Sequence, residues 1–97
     1  MIVRIVTMQF KEEDIDTFLA VFEKYKARIR SAEGCSYLRL IQNLAHPEQI
    51  STLSHWDDEN FLNNYRNSDV FKEVWPQTKK LFTAAPRAQS YAVLSKT

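Results

Sequence analysis

The chain has 97 residues, of which 44% are hydrophobic and 26% charged, with a formal net charge of +1. That length suits one domain, since a single core of this size buries roughly two-thirds of the surface exposed by the unfolded chain. Without a basic stripe or a run of like charge there is no electrostatic footprint for nucleic acid or an anionic membrane, and the single cysteine, Cys35, excludes an intrachain disulfide and fits a reducing, cytoplasmic setting.

The opening stretch, MIVRIVTMQF, has Arg4 inside its apolar run, has no small-residue cleavage site behind it, and soon meets the charged KEED. It is expected to be neither a signal peptide nor a membrane span. Its β-branched content predicts a strand over 2–10, with Ile2, Val6, Met8 and Phe10 on one face and Val3 and Ile5 on the other. Apolar groups on both faces imply a sheet covered on both sides. From Glu12 to about Glu33, Ile15, Phe18, Leu19, Phe22 and Ile29 recur at helical spacing. Acids open that segment and Lys26, Arg28 and Arg30 close it, the order the helix dipole favours. Gly34, the only glycine, is expected to stop the helix.

CSYLRLIQN and ISTLSHW read as strands joined by LAHPEQ, where Pro47 has no ladder donor and marks the turn of a hairpin. Asp57 or Asp58 can cap a short helix running through Tyr65. Ser68 can cap a second helix, with Val70, Phe71, Val74, Trp75, Thr78, Leu81 and Phe82 as one stripe. Pro76 removes a backbone donor, so that helix is expected to kink or restart at Trp75 and free the carbonyl near Lys72. After AAP, the stretch RAQSYAVLS alternates as a last strand does. No repeat, low-complexity tract or linker interrupts the chain, so residues 1–97 are expected to form one domain. The order β-α-β-β-α-β predicts an α+β, ferredoxin-like fold with an antiparallel sheet. Its helices would cover one face only, leaving Val3, Ile5 and Leu40 on the other, and a second copy of the chain is the simplest cover, giving a homodimer.

EGCSYLRL after the first helix, then LSHWDDENFLNNY, then SDVFKEVW together resemble the antibiotic-biosynthesis-monooxygenase (ABM) family of dimeric α+β barrels, over nearly the whole chain. The resemblance implies a homodimer with a pocket in each subunit between sheet and helices. Members include cofactor-independent oxygenases of quinols or polyketide-type phenols, and haem-degrading enzymes. In the haem branch the resemblance would place an asparagine near Thr7, a tryptophan at Tyr65 and a haem-ligating histidine at Trp75, and all three differ here. An indole N–H has no lone pair for iron. His46 falls in the predicted turn and His55 on a strand, so neither is an evident substitute. No cofactor or metal is expected; the expected partners are a small aromatic molecule and dioxygen.

Oxygenation without a cofactor needs an electron-rich substrate whose phenolate or carbanion reduces dioxygen, while the protein supplies deprotonation, orientation and exclusion of water. His55 is the best general-base candidate, because histidine alone normally titrates near neutrality. Alternation groups it with Leu53 and Ser51, opposite Trp56, and leaves open which of the two faces meets a pocket. Tyr65 could donate its hydroxyl to a substrate oxygen, and the resemblance places it in the site. Trp75, beside the proline, could aim its indole N–H at a ligand. These three form the expected catalytic set, with Thr7 and Phe71 expected to bind substrate. Arg39 is expected to pair with an acid across the sheet or interface, and is a weaker candidate for an anion clamp. Cys35 reads as a small buried hydrophobe. No Gly-rich phosphate loop, zinc-type cluster or nucleophile elbow supports another chemistry. The same residues leave a second option: a non-catalytic dimeric module for ligand binding or assembly.

Overall fold

The computed structural model describes residues 1–97. It contains β1 (Ile2–Gln9), a 3-10 turn (Glu12–Asp14), α1 (Ile15–Arg30), β2 (Cys35–Gln42), β3 (Gln49–Trp56), α2 (Glu59–Arg66), α3 (Asp69–Lys79) and β4 (Arg87–Ala92). The strands form one antiparallel sheet in the order β2-β3-β1-β4, the ferredoxin-like α+β arrangement. The sheet is open. Barrel closure, which the resemblance implied, is not achieved within the chain, because four strands are too few where roughly eight enclose a packed interior.

The core lies between one sheet face and the helices. Buried Met8, Phe10, Phe18 and Ile50 form its first cluster, Tyr25, Ile29 and Val74 a second, and Cys35, Trp56 and Leu62 a third. Leu40, expected on the uncovered face, packs against the first cluster. The cause is a register shift between Cys35 and Tyr37, which flips the side-chain phase so that Cys35, Leu38 and Leu40 all face the helices.

Local chemistry sets the helix ends. The Asp58 carboxylate accepts from the backbone N–H groups of Asn60 (2.9 Å) and Phe61 (3.2 Å), and the Ser68 hydroxyl accepts from Phe71 N–H (3.3 Å). Helix α1 ends at Arg30, earlier than Gly34. Ser31 and Ala32 still donate to Ala27 and Ile29, and the chain then turns into β2 through Gly34 at φ +84°. Gly34 therefore serves the strand entry rather than the helix stop. Helix α3 runs unbroken through Pro76, so the interruption expected at Trp75 does not occur. Lys72 and Pro76 are both exposed, which leaves the unpaired carbonyl to water. Behind the proline, Gln77 Nε2 donates to the Glu73 carbonyl (2.9 Å) and Thr78 Oγ1 to that of Val74 (3.0 Å), tying the turn together.

The other sheet face has no helix over it. Val3, Ile5, Leu53 and Ile41 lie there with His55, Tyr37 and Tyr91, as the cross-strand register dictates. Tyr37 stacks on His55 at 4.5 Å, and the Arg39 guanidinium sits 4.3 Å above the Tyr37 ring. Arg39 thus contacts an aromatic face and the Leu38 carbonyl (2.8 Å), with no acid paired to it. No helix is long and apolar enough to cross a membrane.

Candidate functional site

A cavity of about 580 Å³ lies between the helix-facing side of the sheet and the three helices. Its floor is built from alternate strand residues: Arg4, Val6 and Met8 of β1, and Thr52, Ser54 and Trp56 of β3. On α2 the i, i+3 pair Leu62 and Tyr65 turns inward, and on α3 the series Phe71, Val74, Trp75 and Thr78 does the same. Phe18, Phe22 and Ile29 of α1 close the remaining wall.

Aromatic rings form a connected wall. Tyr65 stacks on Trp56 at 5.1 Å and meets Phe71 edge-on at 5.5 Å. Phe71 stacks on Trp75 at 5.5 Å, and Trp75 meets Phe82 edge-on at 5.6 Å. The Trp56 indole N–H is committed to the Ser54 hydroxyl (2.9 Å), which makes Trp56, only 1% exposed, a fixed wall. By contrast, no protein atom pairs with the Tyr65 hydroxyl or the Trp75 indole N–H, and neither group is sealed from solvent. Both are free to bind a ligand. Burial, with a smaller contribution from Cys35, pushes the Tyr65 phenol up to about 12, so at neutral pH it is a proton donor and not a base.

The structure brings Tyr65, Phe71 and Trp75 together around this cavity and places Thr7 and His55 elsewhere. Val6 and Met8 point at the helices, so Thr7 points away, where its hydroxyl accepts from Ser51 Oγ across the pair at 3.2 Å. Trp56 points inward, which turns His55 outward onto Tyr37. The face left open by sequence is thereby settled, and the lining contains no histidine, lysine, aspartate or glutamate. His46 is in the hairpin turn, 3.8 Å from Glu48. The lining holds neither histidine nor cysteine, so the imidazole that the haem branch would place at Trp75 has no counterpart there, and Tyr65 and Met8 are the lining side chains of a type that can ligate haem iron. No group of three His, Cys, Asp or Glu side chains is arranged to hold a metal ion.

Sequence reasoning passed over Arg4, Thr52, Asn63, Arg66 and Asn67, all of which line the cavity. For Arg4 a signal existed. It shares strand parity with Ile2, Val6 and Met8, which makes it a charge on the face that is otherwise apolar. Its guanidinium donates to the Ser90 hydroxyl on β4 (3.0 Å), and burial followed by the positive charge of Arg66 holds it below the ordinary arginine value.

The family profile described as antibiotic biosynthesis monooxygenase matches residues 1–76. The comparison with curated proteins gives no match. Among solved structures, a conserved protein from Methanosarcina mazei Go1 is 27% identical, with 94% of this chain and 91% of that one covered at a TM-score of 0.88. A structure described as an antibiotic biosynthesis monooxygenase is 17% identical, covering 98% of this chain and 100% of that one at a TM-score of 0.90. Rv0793 from Mycobacterium tuberculosis is 15% identical, covering 98% and 96% at 0.89. At the last two identities the likeness speaks for the fold alone.

Proposed function

The chain belongs to the antibiotic biosynthesis monooxygenase family, and from that premise we propose that it is a cofactor-independent monooxygenase of a small aromatic quinol or phenol. The observation that carries this reading is the pair of unpartnered donors, the Tyr65 hydroxyl and the Trp75 indole N–H, on the aromatic wall of one cavity. A volume of about 580 Å³ lies within the range of small-molecule sites.

In the reaction proposed, a phenol becomes a quinone. One atom of dioxygen enters the ring as the second carbonyl, the other leaves as water, and the substrate supplies all four electrons. The reactive species is the substrate anion. Tyr65, protonated at neutral pH, donates a hydrogen bond to the anionic oxygen, and the Trp75 N–H is the second donor. The stacked rings orient the substrate plane and keep water out. With no basic side chain in the lining, the substrate proton is given to water, and the donors lower the cost of ionisation.

That missing base is the one feature favouring a non-catalytic ligand-binding module, and oxygen consumption separates the two. Purified protein with a panel of hydroquinones and naphthols should consume oxygen faster than the same compounds alone. Rates equal to autoxidation across the panel would leave only the binding module. The protein is further proposed to be a homodimer through the helix-free sheet face, where Ile41 (46%) and Tyr91 (47%) are left exposed beside Val3, Ile5 and Leu53. A single-chain mass in sedimentation velocity would contradict that assembly.

A further inference from the structure

The charges around the cavity are one-sided. Two arginines line it, Arg4 on the floor and Arg66 at the end of α2 next to Tyr65, and no acid accompanies them. The chain as a whole is nearly neutral at +1. Of the other cations, Arg28 pairs with Glu73 at 2.8 Å and Lys26 with Glu23, Arg30 donates to the Cys35 carbonyl and Arg39 lies over the Tyr37 ring, but none of these lines the cavity. Neither Arg4 nor Arg66 is in an ion pair, and the sole side-chain hydrogen bond from either is the one from Arg4 to the neutral Ser90 hydroxyl. Arg4 is half-buried and feels the positive charge of the exposed Arg66, with no counter-charge in the lining, so an anion entering there would offset the repulsion between them.

We propose that the cavity takes its aromatic ligand as an aryl carboxylate, with Arg4 and Arg66 holding the carboxylate and the stacked rings of Tyr65, Phe71 and Trp75 facing the aryl group. Guanidinium is the side chain suited to this task, because its planar fork matches the two oxygens of a carboxylate. Asn63 and Asn67, one turn apart at the end of α2, line the cavity with Arg66 and add neutral polar groups to that rim. The inference rests on the cavity being the ligand site, and it narrows the substrate class to phenolic acids.

Calorimetric titration with 2-naphthoate and its neutral isostere 2-naphthamide tests this without any turnover. At low salt the carboxylate should bind roughly 10- to 100-fold more tightly, the range set by charge-assisted hydrogen bonds. Arg4→Met and Arg66→Met should each weaken 2-naphthoate and leave 2-naphthamide unaltered, while Arg4→Lys keeps part of the preference. Added salt should shrink it in the wild type. Equal affinities, or variants that weaken both compounds alike, would overturn the inference. Should Arg4→Met fail to fold, the salt dependence and Arg66→Met decide. If neither compound binds, the ligand-site reading falls as well. A clear carboxylate preference without oxygen consumption would leave the inference standing and remove the oxygenase reading.

Discussion

Replacing Tyr65 by Phe is expected to lower turnover of a phenolic substrate by about 100-fold, the effect of deleting one donor to a developing oxyanion. The ring is retained, so its contacts with Trp56 and Phe71 survive. The hydroxyl has no protein partner in the free enzyme, so the variant leaves no buried group orphaned and its stability at neutral pH should match the wild type. Because the lost interaction strengthens as charge develops, kcat and kcat/KM should fall together. An unaltered rate would remove Tyr65 from the chemistry. The same variant has an alkaline signature. The native phenol titrates near 12 against an ordinary value of 10.0, so the folded protein holds this proton more tightly than the unfolded chain. Below pH 10 both states keep it and Tyr65 adds no slope. Between pH 10 and 12 the unfolded state loses it first, and stability falls by up to about 1.4 kcal/mol per pH unit. Chemical unfolding over that window should show a shallower fall in Tyr65→Phe.

Gly34→Ala is expected to destabilise the fold by roughly 2–4 kcal/mol, combining a left-handed backbone penalty with overpacking. The residue sits at φ +84°, and an added methyl carbon would lie 2.3 Å from Cγ and 2.4 Å from Cβ of Phe61. Phe61 cannot retreat freely, because its own N–H is held by the Asp58 cap at the start of α2. The Gly34 carbonyl accepts from Asp57 N–H at 2.8 Å, so strand entry, cap and helix are joined. Any shift that relieves the clash must move α2, which carries Tyr65 and Arg66 to the cavity. Denaturant unfolding measures the loss. In a double-mutant cycle with Phe61→Gly, which removes the Cβ as well as the ring, Gly34→Ala should cost less than it does in the wild type, and strictly additive costs would contradict the packing argument.

The elements themselves were legible because they are written in local periodicity: the caps at Asp58 and Ser68, the alternation of the last strand and the stripe on α3 depend on near neighbours only. What depends on distant pairing was not. Strand alternation sorts Thr7 from Val6 and His55 from Trp56, yet only the packing of helices on one face decides which set is enclosed. Leu40 faces the helices and not the open side because of the bulge near Tyr37, a single-residue event that inverts everything after it. Pro76 does not make α3 restart, since the lost bond falls on the solvent side of the helix, where water replaces the donor. Arg4 was noticed as a charge interrupting an apolar run; its strand parity carried the further message that the enclosed face is not wholly apolar.

The most direct measurement is a crystal structure with an unreactive phenolic acid bound. The ring is expected against Phe71 and Trp75 beneath α2 and α3, with its phenolic oxygen about 2.7–3.1 Å from the Tyr65 hydroxyl. A ligand seated on the helix-free face beside His55, or a chamber filled by its own side chains and empty of ligand, would contradict it.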